Sequence, residues 1–129
     1  DRLVIDKWFA IQVSAAQPDK AADIAHALTL HADFDMKNPN RFRATLGALA
    51  GKTAGFHHTS GKGYTLLADW LIKLDPLNPQ TTARMCSAFE TWHRYDGHRK
   101  GLIKTELRRI FATKGLSRDT TEMVARILG

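Results

Sequence analysis

Cysteine occurs once in these 129 residues, at Cys86. No intrachain disulfide can form, so a reducing compartment, the cytoplasm, is the expected setting. Long hydrophobic runs are absent too. Nothing approaches the roughly 18 uncharged apolar residues that a membrane span needs, so no membrane partner is expected. No signal peptide is visible. Proline is sparse, and Pro18, Pro39, Pro76 and Pro79 fall between apolar segments rather than inside them. No segment alternates apolar and polar residues as a half-buried strand does. A His-Glu-x-x-His zinc motif, a Cys-x-x-Cys pair, a Walker loop and a Gly-x-Ser-x-Gly elbow are all missing. Each of those motifs carries a particular chemistry, so these residues are expected to hold no catalytic group, no metal and no cofactor.

What is present is helical periodicity. With 43% hydrophobic and 25% charged residues the chain is ordinary for a globular domain with a real core. It opens on Asp1, directly in an amphipathic pattern, and is read as one helical domain, residues 1–129, of a longer polypeptide. Val4, Trp8 and Ile11 recur at +4 and +3 with Ile5 and Phe9 beside them, which predicts a helix over about 2–15. Pro18 and Asp19 start a second helix carrying Ile24, Ala25 and Leu28, and residues 32–37 read as a loop. Asn38-Pro39 starts a third, which buries Phe42, Leu46 and Leu49 and ends at Gly51. Residues 52–63 are rich in Gly, Ser, Thr and His and read as a loop.

Tyr64, Leu67, Leu71 and Leu74 mark a fourth helix, ended by Pro76. A fifth runs from Asn78-Pro79 through Met85, Phe89 and Trp92. A sixth carries Ile103, Leu107, Ile110 and Phe111 and stops at Gly115. Ser117 caps a seventh, with Met123, Val124, Ile127 and Leu128 on its apolar face. The expected fold is all-α, with seven or eight helices in antiparallel pairs, because short connections make sequential helices neighbours. Trp8, Phe9, Leu28, Leu46, Leu71, Phe89, Leu107 and Ile127 are the expected core. Phe34-Asp35-Met36-Lys37-Asn38-Pro39 is echoed 40 residues later by Leu74-Asp75-Pro76-Leu77-Asn78-Pro79. That spacing matches the helix-pair period of a short HEAT or armadillo α-solenoid.

Other candidate sites read as structural. His26 and His31 lie five apart, one residue off the i, i+4 spacing that zinc favours on a helix, and diverge around the axis. His57-His58 has no nearby carboxylate, and His93 and His98 flank Asp96 at a helix junction. All are expected to be surface or capping histidines. Cys86 reads as a small buried hydrophobe, and Trp8, Trp70 and Trp92 read as core. Net charge is +6, and Arg99, Lys100, Lys104, Arg108 and Arg109 crowd the sixth helix. Without interleaved aromatics to stack bases, that stripe reads as a solvated face, and nucleic acid is not the expected partner.

Six strings occur in order: Asp6-Lys7-Trp8-Phe9, Asn38-Pro39-Asn40-Arg41-x-Arg43, Phe56-His57, Gly61-x-Gly63-Tyr64, Asn78-Pro79-Gln80-x-x-x-Arg84 and Arg94-Tyr95-Asp96. Together they resemble the C-terminal domain of bacterial aminopeptidase N, of the gluzincin group of zinc metallopeptidases. The resemblance covers nearly the whole chain. It implies HEAT-like helix pairs that close over the catalytic domain of the same polypeptide and wall a chamber for peptide substrates. Zinc and the catalytic glutamate then lie upstream, in the parent enzyme. Arg43, Gln80 and Arg84 map to chamber-lining, substrate-binding positions. Thr59-Ser60 departs from the family, standing where an acidic residue is expected before Gly61. A helical scaffold that binds a protein or peptide in its groove, and a basic nucleic-acid-binding domain, are the other functions this composition permits.

Overall fold

The computed structural model describes residues 1–129. Every regular element is helical: α1 (Arg2–Ser14), α2 (Ala21–Thr29), α3 (Pro39–Phe42), α4 (Ala48–Gly51), α5 (Thr53–Phe56), α6 (Lys62–Leu74), α7 (Pro79–Met85), α8 (Gly97–Phe111) and α9 (Arg118–Leu128). A π turn, Arg43–Gly47, joins α3 to α4, so residues 39–51 form one helix and the α-helices number eight. Two compact units divide the chain, Asp1–Leu66 and Leu67–Gly129.

In the first unit α1 packs on α2 and on the 39–51 helix. Asp1 caps α1 by accepting from the Leu3 amide, and Asn38 caps α3 by accepting from Asn40 and Arg41. Phe9, Val13, Ala25, Phe42, Leu46 and Leu49 are fully buried. Arg41, nearly buried, donates from Nε to Asp6 and from Nη1 to the Asp33 carbonyl, and its guanidinium lies 5.2 Å from the Phe9 ring centroid. Three stretches of chain are tied together by that one side chain.

The α1 stripe is the main correction here. Val4, Trp8 and Ile11 face out, 64, 44 and 57% exposed, and Phe9 and Val13 face the core instead. Both sides of α1 are apolar, so periodicity alone could not say which side is inward. The second helix also starts later than Pro18-Asp19: residues 17–20 form a turn, closed by the Lys20 amide on the Gln17 carbonyl, and α2 begins at Ala21.

Residues 52–63 are not all loop. α5 is built inside them and Phe56 is fully buried. His57, expected at the surface, is buried too, with Nδ1 2.7 Å from the Tyr64 hydroxyl. The Phe56 and Tyr64 rings meet edge to face, 5.2 Å between centroids. Gly63 makes the approach possible: a Cβ there would stand 2.6 Å from the Phe56 carbonyl oxygen. Ser60 accepts from the Lys62 amide at 3.3 Å as α6 begins.

In the second unit α7 and α8 both pack on α9. The predicted helix from Asn78 to Trp92 holds only to Met85. Tighter turns, Cys86–Phe89 and Trp92–Arg94, carry the chain on to α8. Leu71, Phe89, Ile103, Leu107, Ile110 and Val124 are fully buried. Ile127, expected in the core, is half-buried, and its carbonyl accepts from Trp92 Nε1 at 2.9 Å. Phe111 is 46% exposed, at the outer edge of α8. Gly115 follows α8 at φ 79°, the left-handed conformation that glycine adopts without steric cost.

Candidate functional site

The site is built on α7. Asn78 caps it, its side chain accepting from the Thr81 amide at 3.1 Å, and the Thr82 hydroxyl donates back to the Asn78 carbonyl. Thr81, Thr82 and Ala83 turn inward and are buried, which leaves Gln80 and Arg84 outward, one turn apart on the same face. The cap thereby occupies the Thr81 amide. Neither the Gln80 nor the Arg84 side chain has a hydrogen-bond or ionic partner within the chain.

Both residues line a pocket of about 420 Å³ with Ala83, Asp119, Glu122, Met123 and Arg126. The far wall belongs to α9, whose Asp119, Glu122 and Arg126 are spaced i, i+3, i+7 and so share one outward face. Sequence reading had taken only the apolar side of that helix, and this spacing was the available signal. Glu122 accepts from Arg118 Nε at 3.0 Å, both side chains well exposed. The pocket therefore sets two carboxylates and the Arg126 guanidinium on the α9 wall opposite the Arg84 guanidinium and the Gln80 amide on the α7 wall.

α9 is held by Asp75, from the turn after α6. The buried carboxylate accepts from the Ser117 amide and hydroxyl, each at 2.7 Å, and from the Thr120 hydroxyl at 2.6 Å. Ser117 Oγ in turn accepts from the Thr120 amide, capping α9 as its sequence predicts. Cys86 is fully buried. Burial, and then the Asp75 charge, push its thiol up to about 12, which makes it inert rather than nucleophilic.

Arg43 is not brought into this pocket. It belongs to the first unit, where it opens the π turn, stands exposed, and lines a groove of about 540 Å³ with Leu3, Val4, Lys7, Ala10 and Asn40. The basic face of α8 is partly neutralised. Burial works against the Arg109 charge, but bonds to Glu106 and Asp69, each 2.7 Å, outweigh it and raise its pKa. Arg99 bonds Asp96, the N-cap of α8, and holds that carboxyl below the usual range. No group of three His, Cys, Asp or Glu side chains is placed to hold a metal ion, and no helix is long and apolar enough to cross a membrane. His31 accepts from the Asp33 amide and His93 lies against Trp92, centroids 3.9 Å apart.

A family described as a domain of unknown function (DUF3458_C) with ARM repeats matches residues 1–129. The chain belongs to that family. Aminopeptidase N of Caulobacter vibrioides is 42% identical over 98% of this chain, and that of Haemophilus influenzae 39% over 99%. Aminopeptidase N of Escherichia coli is 34% identical over 98%. A crystal structure of Legionella pneumophila aminopeptidase A in complex with aspartic acid superposes with a TM-score of 0.90 at 34% identity, covering 99% of this chain and 15% of that one. The chain is thus homologous to the C-terminal helical domain of aminopeptidase N, and its all-helical, armadillo-like class is that of the family. It spans about 15% of the length of the relatives it matches.

Proposed function

We propose that this domain is the substrate-access wall of a zinc aminopeptidase. It closes over the catalytic domain of the same polypeptide, bounds the chamber and binds peptide. The observation that carries this reading is the free side of α7, where Gln80 and Arg84 stand exposed and without partners on one wall of a pocket. A volume of about 420 Å³ falls in the range of small-ligand clefts. Arginine can hold a carboxylate through two parallel hydrogen bonds, and glutamine both donates and accepts. Asp119 and Glu122 accept from peptide N–H groups or a cationic side chain across the pocket. Arg43 brings the same chemistry to its own groove. The name aminopeptidase N, carried by the relatives, supports the activity, and a cytoplasmic setting goes with it.

A catalytic zinc needs three protein ligands and an open position, and the residues present here do not fit it. In the parent enzyme zinc would supply the activated water for removing N-terminal amino acids. Residues 1–129 alone are therefore expected to release no amino acid from an aminopeptidase substrate, with or without added zinc. A chelator-sensitive activity that stays with the chain through purification overturns this.

Contacts from this wall are similar in the ground state and the transition state, so they act on binding rather than on bond cleavage. In the whole enzyme, Arg84→Ala removes a charge-assisted contact of about 1–2 kcal/mol, which raises KM for a tripeptide roughly 5- to 30-fold and leaves kcat nearly unchanged. An amino-acid anilide, too short to reach the wall, is affected less. The check is kcat and KM for both substrates, and a large fall in kcat on the anilide rules the proposal out.

A further inference from the structure

The pocket between α7 and α9 holds unlike charges that do not meet. Arg84 is exposed on one wall and Asp119 on the other, and neither has a hydrogen-bond or ionic partner within the chain. The other charged groups of the lining are engaged. Glu122 accepts from Arg118 Nε at 3.0 Å, and Arg126 Nη2 lies 3.0 Å from Met123 Sδ. Each wall is pinned, since Asn78 caps α7 and Asp75 holds the start of α9. One free cation and one free anion are thus held apart, and a ligand that carries both signs gains a contact with each. Arg84 and Arg126 balance Asp119 and Glu122, so a ligand of no net charge suits the pocket as a whole. The less exposed part of the lining is apolar: Ala83 is buried and Met123 half-buried. Such a surface suits a methylene stem that ends in a charge, as the stems of lysine and arginine lie along apolar surface while the head stays in water. The unbranched, polarizable side chain of methionine adapts to a stem of that kind.

We infer that this pocket selects peptides that end in lysine or arginine. The terminal carboxylate pairs with Arg84 and the side-chain cation with Asp119, while the stem lies on Ala83 and Met123 and Gln80 bonds the last peptide group. Asp119 is then the residue that sets specificity. An acidic last residue brings a second negative charge toward Asp119 and Glu122 and is disfavoured. A cationic residue inside a longer peptide leaves Arg84 without a carboxylate. The inference rests on the reading of this pocket as a peptide-binding wall, and adds to it a preference which that reading does not need.

The test compares Ala-Ala-Lys, Ala-Ala-norleucine and Ala-Ala-Glu as substrates of the whole enzyme. Norleucine keeps the stem of lysine and removes its charge. kcat/KM is expected to fall in that order, with the lysine peptide about 3- to 5-fold above norleucine, the range of a solvent-exposed ion pair, and the gap narrows in high salt. Asp119→Asn brings the lysine-to-norleucine ratio to about one, and Asp119→Glu keeps the preference. Both rates are taken on one preparation, so a loss of folded enzyme cancels from the ratio. Amidating the C-terminus of Ala-Ala-Lys raises KM in the parent but not in Arg84→Ala. A lysine preference that persists in Asp119→Asn places the cation elsewhere and overturns the inference, as does an amidation effect equal in the parent and Arg84→Ala. No lysine preference in the parent, with KM still raised for every tripeptide by Arg84→Ala, overturns the inference and leaves the wall standing. Arg84→Ala without effect on any tripeptide removes the wall, and the inference with it.

Discussion

Arg41→Ala lowers the stability of the domain by about 3–5 kcal/mol, the cost of breaking a buried ion pair from one side. Arg41 is 5% exposed, and the Asp6 side chain that accepts from it is 15% exposed. Alanine leaves that carboxylate in place without its cation, and the Asp33 carbonyl without its donor. Contact with the face of Phe9 goes as well. Most of the loss comes from the orphaned charge rather than from the missing bond, and this can be separated. Arg41→Met with Asp6→Leu removes both charges and recovers most of the stability, since a buried pair is often replaceable by apolar groups of similar volume. The measurement is urea unfolding of the two variants and the parent. A loss under about 1 kcal/mol for Arg41→Ala, the range of solvent-screened surface pairs, contradicts the argument.

The same pair explains why the chain is recognisable by eye. Asp6 sits in the first of the six strings and Arg41 in the second, and they meet in space. Phe56-His57 and Gly61-x-Gly63-Tyr64 meet as well, through the His57 to Tyr64 contact and the close approach at Gly63. Asn78 and Asp96 cap helices. Most residues of these strings hold the fold together. Arg43, Gln80 and Arg84, like Lys7, Asn40 and Arg94 of the same strings, are exposed, and no side-chain contact within the chain accounts for them.

Helix starts were legible where a side chain caps the helix, whereas Pro18-Asp19 provides no such cap and α2 begins only at Ala21. Asn38-Pro39, Asn78-Pro79 and Ser117 each start a helix as their side chains predict. α5 was not, because Thr53-Ala54-Gly55-Phe56 holds a single apolar anchor, and packing rather than propensity fixes it. The inward side of α1 was not legible either. Periodicity measures how apolar a face is, and two apolar faces leave nothing to choose between. At the candidate site, a motif pointed to Gln80 and Arg84, whereas the α9 residues beside them look like any solvated helix face until α7 is packed against it.

Asp75 fixes the relation between those two walls, and its removal is the second large effect expected. Asp75→Ala deletes the acceptor of three hydrogen bonds at 2.6–2.7 Å and leaves the fully buried Thr120 hydroxyl without it. Hydrogen bonds to a charged group contribute about 1.5–3 kcal/mol each and are not additive when they share an acceptor, so the total loss is about 3–5 kcal/mol. Asp75→Asn is expected to fall between the parent and alanine. The amide oxygen can still accept from the Ser117 amide and Nδ2–H can donate to the two hydroxyl oxygens, but the negative charge that strengthens all three bonds is gone. α9 stays formed in the native state but loses its anchor at Ser117, and its outward Asp119 and Glu122 lose their fixed place opposite Gln80 and Arg84. Amide exchange along residues 117–123 should therefore speed up well below the unfolding temperature. In the whole enzyme, KM for a tripeptide should rise under the same conditions while the anilide is unaffected. Urea unfolding gives the stability and exchange gives the location. A loss below about 1 kcal/mol for Asp75→Ala, the value of one ordinary neutral hydrogen bond, or faster exchange spread evenly over the second unit, removes Asp75 from this role.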